Sequence, residues 1–241
     1  MKKLFILILT VLIIISASSC TGEKTENKIS GNTAFSETQA VTKSAKSAVY
    51  GIDISSFNGI IDWKKVKNDN ISFAMIRIGG RGYGDEGSIY TDKTALLNLE
   101  SSSNQNIDTG VYFFSQATSV KEAVLEADHI KKTLNGRSLK LPVAYDVERI
   151  KGDKSRIDNV KYKDSVKYAK VFLNKIKSYG YEPMVYIGED SILKAEDFKE
   201  YKIWFANYGK AYDSGYEILQ YSKKGKVDGI TADVDLDVIY N

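Results

Sequence analysis

Two carboxylates close an apolar run in the stretch LPVAYDVERI (141–150): Asp146 and Glu148, with Val147 between them. Alternate side chains of an extended strand share a face, so both acids point the same way, their Cα atoms about 6.5–7 Å apart. Like charges at that spacing repel and raise one another's proton affinity. Such a pair either stands in solvent at a strand end or supplies one protonated and one ionised carboxyl for general acid catalysis.

The remaining inventory narrows the chemistry. The chain has one histidine, His129, and one cysteine, Cys20. Triads built on histidine and zinc sites with several His or Cys ligands lose most of their raw material, and no intrachain disulfide can form. The GYGDEG stretch (82–87) follows a strand-like run. Helical periodicity does not start at its glycines, so it reads as a mobile loop and not as a dinucleotide site. DVDLD (233–237) imitates the start of a calcium loop, but Val238 stands where the loop needs glycine. His129 lies among charged neighbours in a helical pattern and reads as a surface residue. No metal or cofactor is implied.

These residues must be positioned by the elements around them. Strand-like runs fall at 49–55, 73–79, 109–115, 141–148, 182–188, 202–208, 216–222 and 234–239. Helical patterns fall at 62–68, 92–103, 119–134, 161–179 and 191–198, with a Ser119/Glu122 capping box and a stop at Gly180. Eight strands alternating with helices predict a single α/β domain, an abbreviated (β/α) barrel of TIM type, with a doubly wound open sheet as the alternative. In a barrel the functional side chains sit at strand C-terminal ends. That rule selects Asp53, Ser55, Arg77, Tyr112, Ser115, Asp146, Glu148, Tyr186, Asn207, Tyr208, Gln220, Tyr221 and Asp235. Carboxylates among tyrosines suit a sugar-cleaving site, because the aromatic faces can stack on a pyranose. Arg77 reads as a groove residue or, preferably, as a counter-ion for the acids.

The N-terminus reads as an address. Lys2 and Lys3 precede an apolar run from Leu4 to Ile15 and then small residues up to Cys20. This is a secretory signal pattern, with Cys20 where a lipoprotein signal places its acylated cysteine. Ala17 stands where such signals usually carry a larger aliphatic residue. Residues 21–48 are rich in Ser, Thr, Lys, Glu and Asn and read as a flexible, disordered tether. The expected organisation is signal 1–20, linker 21–48 and catalytic barrel 49–241. Of 34 basic and 31 acidic residues, six and three fall in 1–48, which leaves 28 of each for the barrel. A neutral barrel carries no electrostatic footprint for nucleic acid.

The motifs YGIDISSFNGIIDW (50–63), YDVE (145–148), WFANY (204–208) and LQYSKKGKVDGITADVDLD (219–237), in that order, resemble glycoside hydrolase family 25, the Chalaropsis-type lysozymes. The resemblance runs from about Tyr50 to the C-terminus. It implies an irregular β/α barrel and an N-acetylmuramidase that cleaves the β-1,4 bond after N-acetylmuramic acid in peptidoglycan. It makes Glu148 the proton donor and Asp53, Asp146 and Asp235 the other site carboxylates, and it puts Tyr112, Tyr208 and Gln220 along the groove. Three positions depart from the family: Asn58 for Gln, Leu219 for Trp, and Asp237 for Asn.

The expected mechanism has the Asp146 charge holding a proton on Glu148, which donates it to the leaving oxygen. Asp146 could be a nucleophile or could orient the substrate's N-acetyl group. Carboxylates about 5–5.5 Å apart imply retention and about 6.5–9.5 Å inversion; the sequence leaves this open, and the resemblance favours retention. The expected protein is an extracytoplasmic monomer, lipid-anchored or secreted, acting on glycan strands. The rivals are the same fold acting on another amino-sugar polymer, for which Leu219 leaves room, and a wall-binding lipoprotein without turnover.

Overall fold

Strict alternation of side chains decides the architecture. The computed structural model describes residues 47–209 and 215–240. Nine strands form one sheet: β1 (Ala48–Ile54), β2 (Phe73–Arg81), β3 (Ile89–Thr91), β4 (Asp108–Phe114), β5 (Val143–Asp146), β6 (Pro183–Ile187), β7 (Lys202–Ala206), β8 (Ile218–Gly225) and β9 (Val234–Tyr240). Their order is β1-β9-β8-β7-β6-β5-β4-β2-β3, and an additional β1–β2 pairing closes eight of them into a barrel. The expected barrel is therefore present, and the open sheet is not. β3 is an extra strand, folded back on β2 as an antiparallel hairpin. The GYGDEG stretch is the turn of that hairpin, closed by Gly82 N–H donating to the Ser88 carbonyl.

Outward-facing residues such as Ile52, Ile54, Ile76, Val111, Phe113, Val143, Val185 and Ile203 bury the barrel against its helices. These are α1 (Trp63–Asn68), α2 (Ala95–Ser103), α3 (Val120–Leu134) and α4 (Tyr162–Ser178). Inward-facing Phe73, Met75, Ala144, Met184, Trp204 and Ile218 form a separate apolar plug inside the barrel. A Cβ on Gly51 would lie 2.4 Å from the Phe73 ring, so glycine is what admits that ring. No helix among the described residues is long and apolar enough to cross a membrane.

Several local expectations change. The Ser119 hydroxyl caps α3 by accepting from Glu122 N–H. The Glu122 carboxylate does not close the box onto Ser119, but accepts instead from Thr118 N–H and from Arg156. The helix expected at 191–198 shrinks to a 3-10 turn over Ala195–Phe198, because Ser191 is drawn into an isolated bridge with Glu148. His129 is half-buried and packs edge-on against Phe113, with its Nε2 2.9 Å from Thr91 Oγ1. α4 ends at Ser178, and Gly180 takes the left-handed φ of 86° expected at a helix stop.

The last strand departs most from a regular barrel. β9 runs antiparallel to both neighbours, β8 and β1. Its start therefore lies at the mouth where the parallel strands end. Asp235, the second residue of β9, pairs directly with Asp53 of β1. It reaches the mouth from the beginning of a strand and not from a C-terminal end.

Candidate active site

The mouth of the barrel is a cleft of about 230 Å³. Asp53, Asp146, Glu148 and Asp235 all line it, together with Tyr112, Tyr186, Tyr208 and Gln220. Of the strand-end residues read from the sequence, Ser55, Arg77, Ser115, Asn207 and Tyr221 are not part of this lining. Ser115 points the other way and donates to buried Glu126. Leu219 is buried and also lies off the cleft, so its departure from the family pattern does not alter the groove. Asn58 ties the end of β1 to the approach to β9, donating to the Asp233 carbonyl at 3.1 Å and accepting from Ser55 N–H.

Gln220 organises one wall. Its Nε2 donates to Asp53 Oδ2 at 2.6 Å, and its Oε1 accepts from Tyr186 and Tyr208 hydroxyls at 3.0 and 2.6 Å. Both tyrosines have their phenol pKa raised, mainly by burial, and so keep their protons as donors. Lys223 lies over the Tyr208 ring and pairs with Glu189. Among the described residues it is the one cation lining the cleft.

The carboxylates are held away from their ordinary protonation. Burial pushes Asp53 well up, and the nearby charges of Asp237 and Asp235 add to it. Asp146 is also pushed well up, by burial first and then by Glu148; its Oδ1 has no hydrogen-bond partner. Glu148 rises to about 7, by burial first and then by Asp190, with Lys151 opposing. Asp235 rises to about 6 through burial. Asp146 and Glu148 are electrostatically linked, the Glu148 charge being the second cause of the rise at Asp146.

Arg77 stands beside the cleft. Its Nε and Nη2 donate to Asp92 Oδ2 at 2.9 and 2.7 Å, and its guanidinium lies 4.8 Å above the Phe57 ring centroid. It lowers the Asp146 pKa from there. Asp92 also accepts from Ser56 N–H and Thr94 N–H, and its pKa is lowered although burial opposes this. Cys20 lies outside the described residues.

Four residues that line this mouth were not among the candidates the sequence singles out: Glu189, Asp190, Trp204 and Lys223. Glu189 and Asp190 come directly after Gly188, the last residue of the strand-like run at 182–188. Trp204 and Asp237 bond each other inside the barrel, Nε1 to Oδ1 at 2.8 Å; only the strand register reveals that. No group of three or more His, Cys, Asp or Glu side chains among the described residues is arranged to hold a metal ion.

Comparison with known proteins places this geometry. A family model described as glycosyl hydrolases family 25 matches residues 52–230. The autolytic lysozyme of Clostridium acetobutylicum is 30% identical over 194 residues, which are 78% of this chain and 54% of that one. The modular autolysin LytC from Streptococcus pneumoniae superposes with a TM-score of 0.69 at 27% identity, covering 80% of this chain and 47% of that one. It has also been solved in complex with a synthetic peptidoglycan ligand. The bacterial lysozyme from Streptomyces coelicolor shares the fold, with a TM-score of 0.64 at 23% identity, over 80% of this chain and 92% of its own. The chain spans about half the length of the clostridial and pneumococcal relatives.

Proposed function

The chain belongs to glycosyl hydrolase family 25, and from that premise we propose that it is a peptidoglycan hydrolase. It cleaves the β-1,4 bond between N-acetylmuramic acid and N-acetylglucosamine. The observation that carries this reading is Glu148, a half-buried carboxyl raised to about 7 in a cleft it shares with Asp53, Asp146 and Asp235. A carboxyl so poised is protonated near neutral pH and can give its proton to the leaving oxygen.

Asp53 and Asp235 supply negative field to the oxocarbenium-like centre that develops at the anomeric carbon. Asp146 is the second reacting carboxyl, as nucleophile or as the group that orients the substrate's acetamido arm. Retention of configuration is the expected outcome, and trapping a covalent glycosyl-enzyme separates the two roles. Tyr112 and Tyr208 offer ring faces to the sugars, and Gln220 holds Tyr186, Tyr208 and Asp53 in register. Arg77 acts from behind as a counter-ion. Carboxylates and water suffice for this chemistry.

The protein works outside the cytoplasm as a monomer. Residues 1–20 are its signal, Cys20 carries the lipid, and residues 21–48 tether the barrel 49–241 to the membrane. Palmitate labelling that Cys20→Ala abolishes supports the anchor; equal labelling of the variant removes it.

The deciding experiment is a digest of intact peptidoglycan, followed by borohydride reduction and mass spectrometry. New reducing ends on N-acetylmuramic acid establish the muramidase. Ends on N-acetylglucosamine mean the other bond is cut. Bound protein with no new ends means a wall-binding module.

A further inference from the structure

Asp237 is a wholly buried acid that the mechanism above does not use. It sits opposite Gly51 in the β1–β9 pair, two residues beyond Asp235, which faces Asp53. Asp53 and Asp237 are therefore diagonal neighbours on the barrel's inner face. Asp237 has no exposed surface and does not line the cleft. The Phe73 ring packs over Gly51, the strand partner of Asp237.

The hydrogen bonds around Asp237 are incomplete. Trp204 Nε1–H donates to Oδ1 at 2.8 Å. Oδ2 has no donor, and the Asp53 carboxyl faces this group. Two anionic carboxylates set against each other in a dry interior suffer both desolvation and repulsion. A single proton between them converts that clash into a charge-assisted hydrogen bond.

The surroundings decide which acid keeps the proton. Asp53 lines the cleft and takes the Gln220 amide on Oδ2 at 2.6 Å. Asp53 keeps 7% of its surface open at the cleft, where Asp237 has none. Asp237 has only the indole donor. The groups near it are Asp53 from β1, Trp204 from β7, Tyr221 from β8 and Asp235 on its own strand, none of them a cation.

We propose that Asp237 is a positioning residue that works as a neutral carboxylic acid, donating its proton to Asp53 so that the charged Asp53 carboxylate is held in the cleft. Loss of that proton disarms the site without touching Glu148. Burial raises the acid to about 8 against the opposing hydrogen bonds of Trp204 and Asp53, with Asp235 adding, which leaves it protonated at neutral pH. Asparagine reproduces the arrangement, with its carbonyl accepting from Trp204 and its amide donating to Asp53, and it cannot ionise.

The proposal rests on the glycosidase reading of Asp53, so its test has a readout independent of turnover. Full-length wild type, Asp237→Asn and Asp237→Leu are compared by thermal melting and by peptidoglycan turnover between about pH 5 and pH 9. The native acid binds its proton more tightly than the unfolded chain does, so wild-type stability falls as pH rises. The Tm advantage of Asp237→Asn should therefore grow by about 3 °C or more across this range. At the optimum Asp237→Asn should turn over within about threefold of wild type, and one of two alkaline ionisations should vanish from its rate profile. Asp237→Leu keeps no donor and should lose at least about tenfold in kcat with KM little changed.

Parallel melting curves for wild type and Asp237→Asn at all pH values overturn the proposal. So does an Asp237→Leu variant that matches Asp237→Asn in kcat. If the leucine variant does not fold, the melting curves and rate profile of the asparagine variant decide. If wild type releases no reducing ends, the glycosidase reading fails, while the melting comparison still shows whether the buried pair holds a proton.

Discussion

Two clusters of buried acids in this molecule are partnered differently. On the flank, α3 presents Glu122 and Glu126 to two arginines. Arg81 Nε lies 2.7 Å from Glu126, which also accepts from Ser115, and Arg156 lies 2.8 Å from Glu122. There Glu122 is held down at about 2, chiefly by Arg156 against the pull of burial. Glu126, with no exposed side chain, still rises to about 7 because burial outweighs its bonds to Ser115 and Arg81. At the barrel mouth Asp53, Asp146, Glu148 and Asp235 converge with no arginine among the described lining residues. The flank uses its charges to fasten β2, α3 and the hairpin turn, where Arg81 also donates to the Gly87 carbonyl. The mouth leaves its acids unbalanced and so stores protons. Burial alone does not make a site; burial without a partner does.

The contrast breaks first at Glu148. Glu148→Gln should keep glycan binding and lose about 10²–10⁴-fold in kcat. Near-normal turnover would remove Glu148 as the acid. The flank answers differently. Arg81→Met strands Glu126 in a dry interior and should cost about 3–5 kcal/mol, a drop of roughly 10 °C in Tm. It should leave turnover unchanged well below that temperature. Adding Glu126→Leu should recover most of the loss, since an apolar pair replaces the ion pair. A harmless single variant would show that the flank is no better balanced than the mouth.

How far this contrast could be read from the chain alone depends on range. The Asp146–Glu148 pair was legible because alternation is local, and eight strands were legible because each is a short apolar run. The face of Asp235 was legible, but the reason was not, because an antiparallel last strand leaves no local mark. Arg77 could not be paired with Asp92 without β3, whose three residues are too few to carry a pattern. Asp237 was visible only as a departure from a family motif. Its burial against Asp53 and Trp204 is a matter of register between strands far apart in sequence. Residues 1–46, read from a signal pattern up to Cys20 and from composition beyond it, lie outside the described residues.

Stability against pH sharpens the comparison at one acid of each cluster, because Glu122 and Asp235 carry opposite signs. The folded pKa of Glu122 is depressed from 4.5 to about 2. Its contribution is present above the unfolded value and lost as pH falls through that window. Asp235 is raised from 3.8 to about 6, so the native state loses stability as pH rises through that window. Glu122→Gln should therefore lower Tm at neutral pH and do less near pH 2. Asp235→Asn should raise Tm at neutral pH by a few degrees and do nothing near pH 3. Melting both variants over this range checks the signs; curves that shift the same way would mean that the mouth is as compensated as the flank.

The smallest effect lies where the two regimes meet, at the rim. Asp190 raises the Glu148 pKa and Lys151 lowers it, while the two pair with each other at 2.8 Å. Lys151 is 71% exposed in its side chain and Asp190 35%, so solvent and salt screen both. Glu148 must be protonated to act, so activity falls as pH rises through its pKa. Asp190→Asn should move that alkaline limb to lower pH by about half a unit, and Lys151→Met should move it up by a similar amount. Both shifts should shrink in about 0.5 M salt. Rate profiles of the two single variants measure the displacements directly. Shifts of equal sign would mean that the rim acts through Glu148 geometry, by way of the bridge to Ser191, and not through charge.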